Sequence, residues 1–266
     1  MTNQTNKPNK PMPAWMNYMI GESNKRRPDT SKKVHVLAAG KFGTGKTYFA
    51  NTFPKTFWID TDLGMATTRK SLSEPTAPGV RFFPGDRVYD TIMSIIADAR
   101  AQRDPLDQYE SIILDGISSL SRILLYEILG GSTDPERGRK AEFDAWMTLR
   151  GRLTDIIGGL RTLPYHVCAT ILTDIDKDES SGAYVGIFST LGGFREDVGA
   201  MFDEVYIFEK RRARSNEPGD VIYEANTQYH PKFEVKSRIA QAGNIPSKIA
   251  NPTFSALYTS REVKRG

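Results

Sequence analysis

The stretch Gly40-Lys41-Phe42-Gly43-Thr44-Gly45-Lys46-Thr47 constrains this chain more than any other. It follows the apolar run Val34–Ala38 and leads into the helix-like segment Lys46–Thr52. Strand, glycine-rich loop and helix in that order match G-x-x-x-x-G-K-[ST] without a mismatch. Each residue has a physical reason to be there. The glycines admit positive φ and leave room for phosphate oxygens. Successive backbone N–H groups then point into one concavity, and the helix start adds its own unpaired donors and positive dipole end. In such a cradle Lys46 bridges the β- and γ-phosphates. The Thr47 hydroxyl ligates Mg²⁺, an ion that keeps several waters. Gly40 through Thr47 therefore predict an ATP site served by Mg²⁺. The bland alternative is a strand–helix turn that holds no ligand.

The rest of the chain shows what frames this loop. With 266 residues there is material for one large domain and two tails. Residues 1–32 are rich in Asn, Lys, Pro and Thr and read as a disordered basic tail, broken by the apolar patch "PAWMNYMI". Its "NKRRPDTSKK" segment is either a solvated spacer or a phosphate-contacting arm. The domain runs over 33–246, and 247–266 reads as a C-terminal tail. No run approaches the ~20 apolar residues of a membrane helix, and no secretory h-region opens the chain, so a cytoplasmic protein is expected. Cys168 is the single cysteine and sits in the apolar "YHVCATIL", which suits a buried thiol. No Cys/His cluster has zinc spacing. The net charge of +4 permits a nucleic-acid partner without demanding one.

From residue 33 strands and helices alternate. Strands are expected at 34–38, 55–60, 111–115 and 165–172, and helices at 86–101, 118–129 and about 135–162. Late strands follow at 203–210, 220–226 and 232–238. The fold class is α/β: a mostly parallel central sheet with helices on both faces and a late antiparallel extension. In such a sheet the strand "SIILD" sets Asp115 beside the loop, where it can hold a Mg²⁺-bound water or cap the next helix. Gly116 follows, so the catalytic base must come from elsewhere. "FWIDTDLG" offers Asp60 and, two residues on, Asp62, as base or as loop acid.

In order, "GKFGTGKT", "FWIDTD", "SIILDGISSL", "HVCATILTD", "FDEVYIF" and "KFEVKSRI" resemble the RecA-like ATPase core. They are similar above all to the phage Sak-type ATP-dependent single-strand annealing proteins, over roughly residues 33–246. The resemblance implies that Asp62 is the catalytic carboxylate, where that family more often has Glu. It implies that Thr170 is a polar sensor of the γ-phosphate. It also implies that Lys236 and Arg238 reach the ATP of the next subunit in a ring or filament. From the residues alone, both are equally surface charges on an edge strand. The partners implied are single-stranded DNA, further copies of the chain and a single-strand DNA-binding protein, in a phage host's cytoplasm. Candidate DNA contacts are Tyr184 and Phe188 as stacking platforms. Lys210, Arg211, Arg212 and Arg214 form a basic cluster in an expected hairpin turn, which is also what a solvated tip looks like. The competing functions are a RecA-fold motor or helicase loader, a small-molecule kinase with "DPERGRKAEF" as its lid, and an ATP-gated assembly switch.

Overall fold

The computed structural model describes residues 33–68, 76–130, 143–177, 182–215, 219–238 and 245–258. The segments 1–32, 134–142 and 259–266, where the tail readings, most of the lid candidate and the start of the long helix fall, lie outside the described residues. The chain runs through β1 (His35–Gly40), α1 (Lys46–Ala50), β2 (Thr56–Asp60), β3 (Gly79–Arg81), α2 (Val88–Arg100), β4 (Ser111–Asp115) and α3 (Ile117–Ile128). It continues through α4 (Phe143–Arg161), β5 (His166–Ile171), β6 (Thr173–Lys177), β7 (Tyr184–Phe188), α5 (Phe194–Asp197) and β8 (Glu204–Arg212). β9 (Val221–Asn226), β10 (Lys236–Ser237), β11 (Lys248–Ala250) and α6 (Phe254–Tyr258) complete it.

The sheet order is β11-β9-β8-β1-β5-β4-β2-β3, with β10 on β8. β3, β2, β4, β5, β1 and β8 run parallel; β9, β10 and β11 pair antiparallel. This is the expected α/β architecture with its late antiparallel extension. β1 lies at the centre, between β5 and β8, so the loop that leaves it is held on both sides. Its residues are buried throughout, as a parallel strand covered on both faces requires.

Alternate side chains feed two cores. On one face Leu37, Ile59, Ile112 and Leu114 meet α2, α3 and α4. On the other Val36, Ala38, Trp58 and Phe208 meet Phe49 of α1 and Leu257 of α6. Helix α4 buries Leu149, Leu153, Ile156, Ile157 and Leu160 at helical spacing. Phe143, expected on that face, is 76% exposed at its start.

Three elements differ from the sequence reading. Residues 248–258 are built into the domain: β11 covers β9, and α6 buries Leu257 and Tyr258. The reason is local. Phe254 stacks on Phe53 and Tyr258 at centroid distances of 4.7 and 5.0 Å, so this segment closes the second core. The strand expected over 232–238 pairs only at Lys236 and Ser237. Upstream, the N–H groups of Lys232 and Phe233 donate to His230 Nδ1, and the Lys232 carbonyl accepts from Gly186. Those backbone groups are not available to a ladder. The basic cluster falls on a strand, because β8 runs on to Arg212 before the chain turns.

Candidate nucleotide site

Gly43 and Gly45 adopt φ of 68° and 90°, the left-handed region that the motif's glycines were expected to serve. Gly40 has a packing reason instead. A Cβ there would lie 2.4 Å from the Phe208 carbonyl oxygen. The Lys46 ammonium donates to the Gly40 and Lys41 carbonyls at 2.9 and 2.8 Å, folding back over the loop. Thr44 Oγ1 donates to the Lys41 carbonyl at 2.8 Å. Burial lowers the Lys46 pKa to about 8, while the charges of Asp115 and Asp62 act in the opposite sense. A cation so poorly solvated gains strongly from an anion placed beside it.

The parallel register sets Asp60 and Asp115 side by side at the ends of β2 and β4. They play different parts. Asp115 Oδ1 accepts from Thr170 Oγ1 at 2.6 Å and from Thr47 Oγ1 at 3.3 Å. Its Oδ2 is buried without a hydrogen-bond partner. Burial pushes the Asp115 pKa up to about 6; the Thr170 hydrogen bond opposes this, and Asp60 and Asp62 add to it. Gly64 makes this placement possible, since a Cβ there would fall 1.7 Å from Asp115 Oδ2. Among the described residues no group of three or more His, Cys, Asp or Glu gathers as a metal cage. Thr47 and Asp115 nevertheless suit Mg²⁺, which takes few protein ligands and completes its shell with water and phosphate oxygens. The unpartnered carboxylate oxygen marks where a compensating charge is missing.

Asp60 is an organiser of the turn. Its carboxylate accepts from the N–H groups of Asp62, Gly64 and Met65 and pairs with Arg81 Nε at 3.3 Å. Asp62 is thereby presented to a cleft of about 120 Å³ that Lys46, Thr47, Gly116 and Thr170 also line. Ser119 Oγ donates to Asp62 Oδ1 at 2.8 Å and sets its direction. Gly116, at φ 101°, leaves the space, since a Cβ there would meet the Asp62 Cβ at 2.7 Å. Thr170 Oγ1 accepts from the Gly116 N–H at 2.9 Å while donating to Asp115, so it ties β5 to the end of β4.

Lys46, Thr47, Asp62, Asp115 and Thr170 thus converge. Lys236 and Arg238 do not join them. Lys236 and Ser237 pair at the start of β8, opposite Val205 and Glu204, with Arg238 next to them, whereas Gly40, where β1 becomes the P-loop, pairs with Phe208 further along β8. There Lys236 Nζ donates to the Phe202 and Ala200 carbonyls at 2.6 and 3.2 Å, and Arg238 pairs with Asp203 at 2.7 Å. The basic cluster also divides. Arg211 pairs with Glu224 at 2.8 Å. Lys210 turns to the P-loop, its Nζ 3.4 Å from where a Gly43 Cβ would stand. Arg212 ends β8, and Arg214 lies just beyond it. Tyr184 is 65% exposed. Phe188 packs against the first core and over Gly199, which removes it as an open stacking platform. Gly64, Gly116, Ser119 and the Lys210–Gly43 approach were missed from sequence. Gly64, two residues after Asp62, carried the one visible signal.

A search of curated proteins finds no match. Among solved structures the chain is similar to the flagellar accessory protein FlaH from Methanocaldococcus jannaschii. That match has 13% identity and a TM-score of 0.40, over 84% of this chain and 90% of that one. Among the described residues no helix is long and apolar enough to cross a membrane. A protein-family model described as an AAA domain (AAA_24) matches residues 32–239, a span that holds the P-loop, Asp62, Asp115 and Thr170, and the chain therefore belongs to that family of nucleotide-binding P-loop ATPase domains.

Proposed function

We propose that the chain is a Mg-ATP hydrolysing enzyme that binds single-stranded DNA and promotes its annealing or pairing, working as an assembly of copies. The observation that carries the catalytic half is Asp62, aimed by Ser119 into the cleft that Lys46, Thr47 and Thr170 share. The amides of residues 43–47 and the Lys46 ammonium hold the phosphates and take up charge that grows in the transition state. Asp62 orients a water for attack on the γ-phosphorus and accepts its proton. Thr170, bonded to Asp115 and to the Gly116 amide, moves with any change at the γ-phosphate and passes it to β5. Thr47 and Asp115 would hold a Mg²⁺ ion, which would supply charge neutralisation at the phosphates.

The DNA half rests on the residue types at the end of β8 and the start of β7. Lys210, Arg212 and Arg214 lie at or just past the end of β8, and Tyr184 is exposed at the start of β7. Cations that track phosphates and aromatics that stack bases are the usual means of holding a single strand. The test is the ATP hydrolysis rate with and without oligo-dT, together with light scattering. Stimulation by DNA and growth into rings or filaments are expected. A monomer whose turnover ignores DNA, and which retains none, overturns the reading. Assembly on ATP without turnover would replace the enzyme by a nucleotide-gated switch.

A further inference from the structure

A second cavity, of about 480 Å³, adjoins the P-loop and falls outside the catalytic cleft. That volume lies within the range of small-molecule pockets. Its walls come from three places: Lys41, Phe42 and Thr44 of the P-loop, Thr173 and Ile175 of the β6–β7 hairpin, and the segment from His230 to Phe233. Ile207 and Phe208 in the middle of β8 lie between them. The walls are tied together. The Gly186 N–H donates to the Lys232 carbonyl at 2.8 Å, and the Phe233 ring lies against Gly186, where a Cβ would be 2.2 Å from it.

The lining has two chemistries. Ile175, Ile207, Phe208 and Phe233 give an apolar interior, and Lys41, Lys210 and Lys232 surround it with positive charge. The acid in the wall, Glu209, is held by hydrogen bonds: its carboxylate accepts from Asn226 at 3.0 Å and faces His230 Nε2 at 3.3 Å. Phe42 is 82% exposed, unusual for a phenylalanine, and it lines both this cavity and the catalytic cleft. Apolar walls, an open aromatic face and several ammonium groups fit an aromatic base attached to a phosphate.

We propose that this cavity receives one nucleotide unit of single-stranded DNA, its base against Phe42 and its phosphates among Lys41, Lys210 and Lys232. This rests on the DNA-binding reading above and adds the place and the coupling. Since Phe42 and Lys41 belong to the P-loop, an occupant of the cavity and a triphosphate in the loop touch one short segment. Each then alters the other's affinity by the same factor.

The experiment uses the full chain, fluorescently labelled oligo-dT, and the variants Lys232→Ala and Ile175→Trp, neither of which touches the catalytic cleft. Ile175→Trp narrows the cavity. Both variants are expected to bind oligo-dT about tenfold more weakly, as loss of one base contact does, and to keep the wild-type affinity for Mg-ATP. Lys232→Ala should also flatten the dependence of log affinity on log salt by about 0.7. Wild-type affinity for oligo-dT in both variants overturns the assignment while leaving DNA binding intact. Failure of the wild-type protein to bind oligo-dT at low salt overturns the parent reading and this one together. A parallel titration with dTMP separates the sources of the ligand. If Ile175→Trp abolishes dTMP binding and leaves oligo-dT unaffected, the cavity serves a free nucleotide, and the DNA assignment falls.

Discussion

The two ends of one parallel sheet use the same kinds of residue to opposite effect. At the end where β1 becomes the P-loop, Asp115 is buried with one oxygen unpartnered, and burial raises its pKa to about 6. At the other end Asp203 meets His35 at 3.0 Å, Arg238 at 2.7 Å and Arg161 at 3.8 Å. Its pKa is lowered, first by the His35 hydrogen bond. The lysines divide in the same way. Lys46 rests on carbonyls of a loop shaped for anions, and Lys236 clamps the carbonyls of Ala200 and Phe202. At the first end Asp60 pairs with Arg81, but Asp115 has no ion-pair partner among the described residues. The other compensates its charge within the chain and holds β8 and β10 together. A buried charge with no partner is costly, so it persists where a ligand completes it.

The comparison can be broken at several points. The largest effect is expected from Lys46→Ala, which should cut ATP turnover by at least ~10²-fold with the thermal midpoint little changed. Hydrolysis assays beside thermal melts check it, and a variant that still turns over at the wild-type rate removes the site. Asp115→Asn should lose Mg-dependent turnover and yet stabilise the free protein. A carboxyl whose folded pKa is raised binds more protons folded than unfolded, so its presence costs stability as pH rises from about 4 to 6. Above pH 6 relief of that cost is on the order of 2–3 kcal/mol. Urea unfolding at pH 7.5 and pH 4 should show the variant's advantage large at the first and small at the second. If the advantage is equal at both, burial of an ionised Asp115 is not its source.

At the opposite end, Lys236→Ala should cost about 1–2 kcal/mol of stability through the lost hydrogen bonds to carbonyls, with turnover per folded molecule retained. Loss of turnover at unchanged stability would show instead that this lysine reaches a neighbouring subunit's ATP. A last effect, on the pH profile of stability alone, concerns His166, which accepts from the Val34 N–H at 3.2 Å. Burial, helped by Lys33, lowers its pKa to about 4. The unfolded chain then binds the extra proton first, so stability should fall as pH drops from about 6.5 to 4, opposite in sign to Asp115. The difference in urea midpoint between Asp115→Asn and Asp115→Asn with His166→Gln across that range isolates the loss, because the other carboxylates titrate alike in both.

The ATP site was legible because its chemistry is local. A glycine loop between a buried strand and a helix must present amides, and Lys46 and Thr47 follow within the same loop-to-helix junction. Asp115 and Asp62 were legible one step further on, from apolar strands that end in acids. The surroundings of Lys236, Arg238 and Phe188 within the chain were not, since each depends on which remote backbone or ring lies beside it. The Phe202 carbonyl, Asp203 and Gly199 do not announce themselves from 11 to 35 residues away. The same holds for Ser119 on Asp62 and for Lys210 over Gly43.

By itself, then, the order of residues determined a parallel α/β domain with a triphosphate cradle at the end of its first strand, because periodicity and loop chemistry act over a few neighbours. Tertiary structure alone decided which acid faces the cleft and which braces the turn, and which cations are locked into ion pairs. It also created the cavity shared by the P-loop, the hairpin and residues 230–233. Charge and shape at a site depend on distances through space, and the chain acquires those distances only when its sheet closes.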